Sequence, residues 1–364
     1  MTSADLVVIG GGQSGVAAAH LAAQRGLCPL VLDASAGPGG SWPLYYDSLT
    51  LFSPARFSAL PGMPFPGDPD RYPLRDEVVD YLAAYTARLD ADVRFGTRVE
   101  RVAAQDDAFT ITVADGSVVQ APVVVATTGG FGTPMWPALP GLDAFSGRVL
   151  HAAQYRNADG FAGKRVVVVG GGNSAVQIAV ELAQVAVVSL TTRGPLRFQA
   201  QRILGRDFHW WLARTGLDTS WLGPRLVTGS APVIDDGRYR AAIRAGRPDH
   251  RPLFTRVDGD RVVWTDGTAE QVDVVLLATG YRPDLPYLAG TGALDERGVP
   301  LHAGGLSTSL PGLGFVGLER QRSVASATLR GVGRDAAHVL DGLLRRSGRQ
   351  AGLRLARRVV ARSR

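Results

Sequence analysis

The chain has 364 residues, 45% apolar and 20% charged, which suits a globular protein with two full cores and excludes a disordered or collagen-like one. Its one cysteine, Cys28, excludes an internal disulfide and a CxxC redox pair, and the six scattered histidines lack metal-ligand spacing, so no metal is expected. The net charge of +6 comes from residues 345–364, which hold eight arginines and no acid; this stretch reads as a solvated, frayed tail and gives no ground for a nucleic-acid partner.

The first apolar run, Ala4–Ile9, has no basic segment before it and is too short for a signal peptide or a membrane span, so a cytoplasmic location is expected. Apolar throughout from Leu6, it reads as a strand buried on both faces of a parallel sheet. It runs into Gly10-Gly-Gly12-Gln13-Ser14-Gly15, an apolar helix, and a second strand ending at Asp33. In this βαβ unit Gly10 permits the tight turn, Gly12 lets the backbone approach a pyrophosphate, and Gly15 lets helix and strand pack closely. The phosphates would sit on the helix N-terminus. A carboxylate at Asp33 accepts hydrogen bonds from free ribose hydroxyls and repels a 2′-phosphate, so this unit wants FAD or NAD. The glycine-rich loop that follows, through Gly40, Ser41 and Trp42, can lie against a flavin and its phosphates, which selects FAD.

Next, Phe109–Gly116 reads as a hairpin turned at Asp115-Gly116, followed by a buried strand from Val123 that ends in Ala126-Thr127-Thr128-Gly129. The pattern then repeats. Arg165–Val169 leads into Gly170-Gly-Gly172-Asn173-Ser174-Ala175, a helix, and a strand ending at Thr192-Arg193. Arg193 stands in the register of Asp33 with the opposite charge. A guanidinium there matches a phosphate bidentately, so the second unit is built for NADPH. A second Asp-Gly hairpin, at Asp266-Gly267, precedes a buried strand ending at Ala278-Thr279-Gly280. Two dinucleotide units imply hydride transfer between their cofactors.

The expected fold is α/β, with two Rossmann-like, three-layer dinucleotide-binding domains, the NADPH domain inserted into the FAD domain. Residues 1–160 and 280–345 would form the FAD-binding domain and 161–279 the NADPH-binding domain. A loop-rich insert at about 194–255 carries Phe198, Phe208, His209, Trp210, Trp211, Trp221 and Tyr239 as core or substrate-pocket aromatics, and 346–364 is the basic tail. Near the C-terminus, Ser326, Ala327 and Thr328 precede a helix over 329–344 whose N-terminus would face the flavin pyrimidine.

These motifs resemble the single-component (class B) flavin-containing monooxygenases, which include N- and S-oxygenases and Baeyer–Villiger enzymes. The match spans most of residues 4–340 and rests on Gly10–Gly15, Gly39–Trp42, Gly170–Ala175 and Leu277–Tyr281. Its most specific part is Phe145-x-Gly147-x-x-x-His151-x-x-x-Tyr155, similar to the fingerprint of that class. The stretch Tyr46–Pro61 is closest to a short bacterial branch found near arsenic- or metal-resistance genes. The resemblance implies a flavin set of Gly10, Gly12, Gln13, Ser14, Gly15, Asp33, Gly40, Ser41, Trp42, Val99, Thr127 and Ala327. It implies an NADPH set of Gly170, Gly172, Asn173, Ser174, Ala175, Thr192, Arg193, Ala278, Thr279 and Gly280. His151 would help couple NADPH binding to flavin chemistry. Many members carry an asparagine near the flavin where this chain has Phe52, with Ser53 beside it, so Phe52, Ser53 and His151 stand as the catalytic positions.

The implied reaction is oxygenation, through a C4a-(hydro)peroxyflavin, of a small soft nucleophile at N, S or As, or of a ketone. The partners would then be a small-molecule substrate and molecular oxygen; homo-oligomerisation stays open. Two other functions fit the same residues: an NADPH:acceptor oxidoreductase serving a quinone, metal or partner protein, and a non-enzymatic NADPH-responsive flavoprotein.

Overall fold

A computed structural model describes residues 2–105, 108–220 and 232–362. The chain opens as a Rossmann unit. Strand β1 (Leu6–Ile9), helix α1 (Gln13–Ala23) and strand β2 (Pro29–Leu32) follow in order, with β1 and β2 parallel from Leu6↔Pro29 to Ile9↔Leu32. Helix α2 (Arg75–Thr86) leads to β3 (Asp92–Arg94), parallel to β2. A meander of β4 (Val99–Gln105), β5 (Ala108–Val113) and β6 (Val118–Ala121) is followed by β7 (Val124–Ala126), which pairs with β1 on its other side. The meander turns at Gly116, whose φ of +81° suits a residue without a Cβ.

The chain then passes to a second sheet. It enters at β8 (Arg148–His151), ahead of the boundary expected at residue 160; the run is too short and mixed to show as a strand in the sequence. Then come β9 (Arg165–Val169), α3 (Asn173–Leu182) and β10 (Val187–Thr192). The insert holds α4 (Phe208–Thr215) and α5 (Arg238–Arg244), so it is more regular than the loops expected there; Trp221 lies outside the described residues. Strand β11 (Asp249–Pro252), the meander β12 (Arg256–Asp258), β13 (Arg261–Val263) and β14 (Ala269–Gln271), and β15 (Val274–Leu277) complete this part. The five-stranded sheet has the order β8-β15-β9-β10-β11, all parallel.

Finally β16 (His302–Ala303), β17 (Leu306–Ser307) and β18 (Leu313–Phe315) return to the first sheet, giving the seven-stranded order β16-β17-β18-β7-β1-β2-β3. Helix α6 runs Leu329–Arg362. The sequence places its end near Leu344 with a frayed tail beyond; instead the helix continues to Arg362, with no proline in that stretch to stop it. Among the described residues no helix is long and apolar enough to cross a membrane.

Both sheets use the alternation of side chains to fill two cores. Leu6, Val8 and Val31 pack under α1 and α6, against Ala18, Ala22, Val339 and Leu343. Their neighbours Val7, Ile9 and Leu30 face the meander residues Val102, Phe109 and Ile111. In the second unit Val166 and Val168 face α3 while Val167 and Val169 face Val257, Val262 and Trp264. Each such side chain contributes ~1.5–3 kcal/mol by leaving water. Each unit is thus three layers, helix, sheet and meander, the arrangement of two Rossmann-like domains.

The two sheets are joined by two crossings that lie side by side. Thr133–Pro134 pairs antiparallel with Tyr281–Arg282, and the Met135 N–H donates to Gly280 O at 2.9 Å.

Candidate cofactor and substrate site

The first glycine turn shows which of its glycines packing requires. Gly10 has φ +106° and follows β1 directly. A Cβ on Gly15 would stand 1.8 Å from Gly10 O, so α1 can rest on the turn only through glycine. Gly12 differs: an added Cβ would meet only Gly40 Cα, at 3.7 Å, an ordinary contact. Nothing in the protein therefore demands glycine there, and the bare backbone suits a close phosphate. The loop after β2 closes on the same point, since a Cβ on Gly40 would come within 2.6 Å of Gly12 Cα. The Trp42 indole donates to Gln13 Oε1 at 2.9 Å, and the Gln13 amide donates to Ala327 O at 2.8 Å. Glycine turn, loop and the approach to α6 thus converge. Buried Ser14 lies against Gly317, Ser41 bonds to Tyr45, and Thr127 donates to Ile9 O or Gly10 O. Val99 is buried in the meander core.

Asp33 is buried at the end of β2. Its carboxylate accepts from the Gly11 N–H and from both the N–H and hydroxyl of Ser35. It pins the glycine turn to the following loop, a task the sequence did not suggest for it.

The second turn repeats the design. Gly170 has φ +147°, and a Cβ there would clash with Ala278 O at 2.3 Å. Buried Ala175 takes the place of the third glycine. A Cβ on Gly172 would meet nothing within 4 Å. Asn173 Oδ1 accepts from the Ile234 N–H at 3.1 Å, tying the turn to the insert, and Ser174 bonds to Tyr46. At the end of β10, Thr192 is buried while the next residue, Arg193, is exposed and makes no hydrogen bond or ion pair with the described residues. Its guanidinium is uncommitted, as an anion site needs.

His151 sits at the crossing. It is fully buried, and both ring nitrogens are in use: Nδ1 accepts from the Ala153 N–H at 3.1 Å, so Nε2 carries the proton and donates to Gly280 O at 3.1 Å. Tyr281 packs edge-on at 5.1 Å. Burial holds the His151 pKa below its ordinary value, against the hydrogen bond to Gly280. With both ring nitrogens engaged, the ring ties the turn after β8 to Gly280 at the return crossing. Phe145 covers Gly147, where a Cβ would come within 2.5 Å of its ring. Tyr155 is buried in the core beside Tyr46. Thr279 donates to Met135 O at 2.5 Å, in the other crossing.

The insert closes over the first unit through a polar cluster that sequence reasoning missed. Asp207 caps α4 and accepts from His209 Nδ1 at 3.0 Å, Tyr72 Oη at 2.6 Å and Gln201 Nε2 at 2.7 Å. Burial pushes its carboxyl up, but these hydrogen bonds prevail and its pKa lies below the usual value. The buried His209 ring stacks on Phe52 at 5.9 Å and lies 6.5 Å from Phe57, and Gln201 also donates to Phe52 O. Arg330, in the first turn of α6, lies over Phe57 and pairs with Asp218 of the insert at 2.8 Å. Phe52 is partly exposed, whereas Ser53 bonds to the buried Ser58. Not all the insert's aromatics belong here: Tyr239 and Phe198 pack in the second unit's core. No sequence motif marks the cluster, because Tyr72, Asp207 and Arg330 are far apart in the chain.

Residues 7–206 match the family described as pyridine nucleotide-disulphide oxidoreductase. The chain is 34% identical over 346 residues to an uncharacterised CzcO-like oxidoreductase of Geobacillus kaustophilus, covering 93% of this chain and 98% of that one. It is 32% identical to indole-3-pyruvate monooxygenase YUCCA1 of Oryza sativa subsp. japonica, covering 80% of each. The solved flavin-containing monooxygenase from Stenotrophomonas maltophilia is 33% identical, with a TM-score of 0.84 over 94% of this chain and 99% of that one. The open backbone at Gly12 and Gly172 and the free guanidinium of Arg193 fit two dinucleotides, the FAD and NADPH of such enzymes. The chain belongs to the pyridine nucleotide-disulphide oxidoreductase family and, within it, is an oxidoreductase of the flavin monooxygenase kind.

Proposed function

We propose that the protein uses NADPH and molecular oxygen to oxygenate a small soft nucleophile, at N, S or As, or a ketone. The observation that carries this reading is the pairing of two glycine turns with opposite charges at their strand ends, buried Asp33 in one and unpaired Arg193 in the other. FAD, when bound, accepts hydride from NADPH and activates oxygen. The chain's own residues bind, orient and keep water out. Gly10, Gly12, Gly15, Gly40 and the Gln13–Ala327 bond support an FAD pyrophosphate at the start of α1. Lone pairs that Asp33 has left accept the ribose hydroxyls. Gly172 and Arg193 support the NADPH pyrophosphate and 2′-phosphate.

We place the substrate where the insert meets the first unit, along Phe52 and Phe57, with His209 held by Asp207 and the Arg330–Asp218 pair beyond. Two aromatic faces with one oriented imidazole suit a small, partly apolar molecule, and the insert that covers them limits water. His151 and Gly280 hold the crossings together while two cofactors are engaged.

Oxygen uptake and NADPH consumption, followed with and without amines, thioethers, arsenite and cyclic ketones, test the proposal. Substrate-dependent NADPH use that matches product supports it, as does an absorbing oxygen adduct when reduced enzyme meets oxygen. NADPH use that is insensitive to oxygen would shift the assignment to an acceptor reductase; no flavin reduction at all would leave a binding protein.

A further inference from the structure

The strand that carries Arg193 ends in a small relay whose polarity can be read. Thr192 Oγ1 lies 2.6 Å from Gly194 O and 2.8 Å from His250 Nε2. A carbonyl only accepts, so the one hydroxyl proton goes to Gly194 O, and the Thr192 oxygen accepts from His250 Nε2–H. The relay runs His250 to Thr192 to Gly194. It is anchored at both ends. His250 belongs to β11, which pairs with β10 at Leu190↔His250 and Thr192↔Pro252. The Thr192 carbonyl accepts from the Leu253 N–H at 3.0 Å. On its other side the Thr192 methyl faces the second glycine turn, 3.4 Å from where a Cβ on Gly171 would stand.

Arg193 therefore sits between two residues, Thr192 and Gly194, whose backbones are fixed by hydrogen bonds, while its own guanidinium is exposed and makes none with the described residues. Fixing the backbone on both sides of Arg193 removes that part of the ordering cost before a ligand arrives and aims the side chain from a constant root. Asp249 and Arg251 flank His250 on β11 and are paired with each other, so neither competes for its ring, which lies exposed with Nε2 turned to Thr192. His250 thus serves this relay as the donor.

We propose that His250 is a positioning residue for recognition of the adenosine 2′-phosphate, acting on Arg193 through Thr192 and Gly194. It makes the second unit's preference for a phosphorylated ribose a property of two neighbouring strands, β10 and β11, instead of one arginine. The inference rests on the reading of Arg193 as the 2′-phosphate partner.

The test is calorimetric binding of 2′,5′-ADP and 5′-AMP to the FAD-loaded protein, which needs no turnover. His250→Leu is expected to weaken 2′,5′-ADP about fivefold, the worth of one neutral hydrogen bond, with 5′-AMP changed by less than about twofold. His250→Gln, whose amide nitrogen can donate to Thr192, is expected to restore most of the loss. Arg193→Ala is the reference, expected to weaken 2′,5′-ADP by roughly tenfold to a hundredfold. If Arg193→Ala matters and His250→Leu leaves both affinities unchanged, or weakens both ligands alike, the positioning role is overturned and the Arg193 reading stands. If Arg193→Ala leaves the preference for 2′,5′-ADP intact, both fall together.

Discussion

Gly12 and Gly15 lie three positions apart in one turn yet answer to different demands. Gly15 supports its neighbour's carbonyl at a separation no Cβ tolerates, whereas Gly12 has room on the protein side. Gly15→Val is therefore expected to destabilise the fold by more than the ~1–3 kcal/mol of ordinary overpacking, and Gly12→Val to leave a folded protein without flavin. Thermal melts and the flavin-to-protein absorbance ratio separate the two; a yellow, FAD-loaded Gly12→Val protein would refute the phosphate assignment. Arg193→Ala should raise the apparent KM for NADPH roughly tenfold to a hundredfold, as loss of a charged hydrogen-bonded partner implies, and that for NADH by less than about twofold. Equal changes would count against it. His151 offers a check by pH. Burial keeps it neutral, so the unfolded chain binds the proton more readily and stability declines as pH falls below about 6.5. His151→Gln should lessen that decline in melting temperature; an unchanged slope would mean the ring protonates freely in place.

The insert is held to the first unit by few but well-oriented bonds: Tyr72 donates to Asp207 across the boundary, while His209 and Gln201 of the insert hold that carboxylate in place. Because its folded pKa is depressed, its stabilising contribution is present above the unfolded value of ~3.9 and is lost as pH drops through the folded one. Asp207→Asn should cost about 1–3 kcal/mol at neutral pH and flatten the acid limb of the stability curve. It should also raise KM for substrate with little change in NADPH binding, since it loosens His209 over Phe52; a change in NADPH affinity alone would dissociate the cluster from the substrate. The extension of α6 beyond Leu344, the Arg330–Asp218 pair and this cluster were not legible in the sequence. The two turns were, because glycine spacing, strand hydrophobicity and one charge at each strand end are local features. A hydrogen bond between Tyr72 and Asp207 exists only once α2 and the insert have been packed, and no periodicity encodes it. His250 was hidden for the same reason: the strand that brings it to Thr192 is short and polar.

The doubled βαβ pattern predicted two Rossmann-like units, and the sheets have that form, each with helices on one face and a meander on the other. What the pattern could not show was where the chain changes sheets, since β8 is four residues of mixed character. The arginine-rich end of α6 offers a simple test of its independence. Truncation after Arg346, which keeps that side chain's bond to Ser307 O, should leave flavin content and melting temperature unchanged while it lowers retention on a cation exchanger. Loss of flavin on truncation would show that the tail reaches the site.

The adjacent crossings at Thr133–Pro134 and Tyr281–Arg282 have one further consequence. The polypeptide departs and comes back through a single seam, so the intervening stretch is a cassette with neighbouring ends. An exchange of this stretch with the corresponding piece of a relative would need only two junctions, both at that seam. A graft there must also supply partners for Tyr72, Phe52 and Arg330 of the flavin half, which bond to Asp207, Gln201 and Asp218 of the excised stretch.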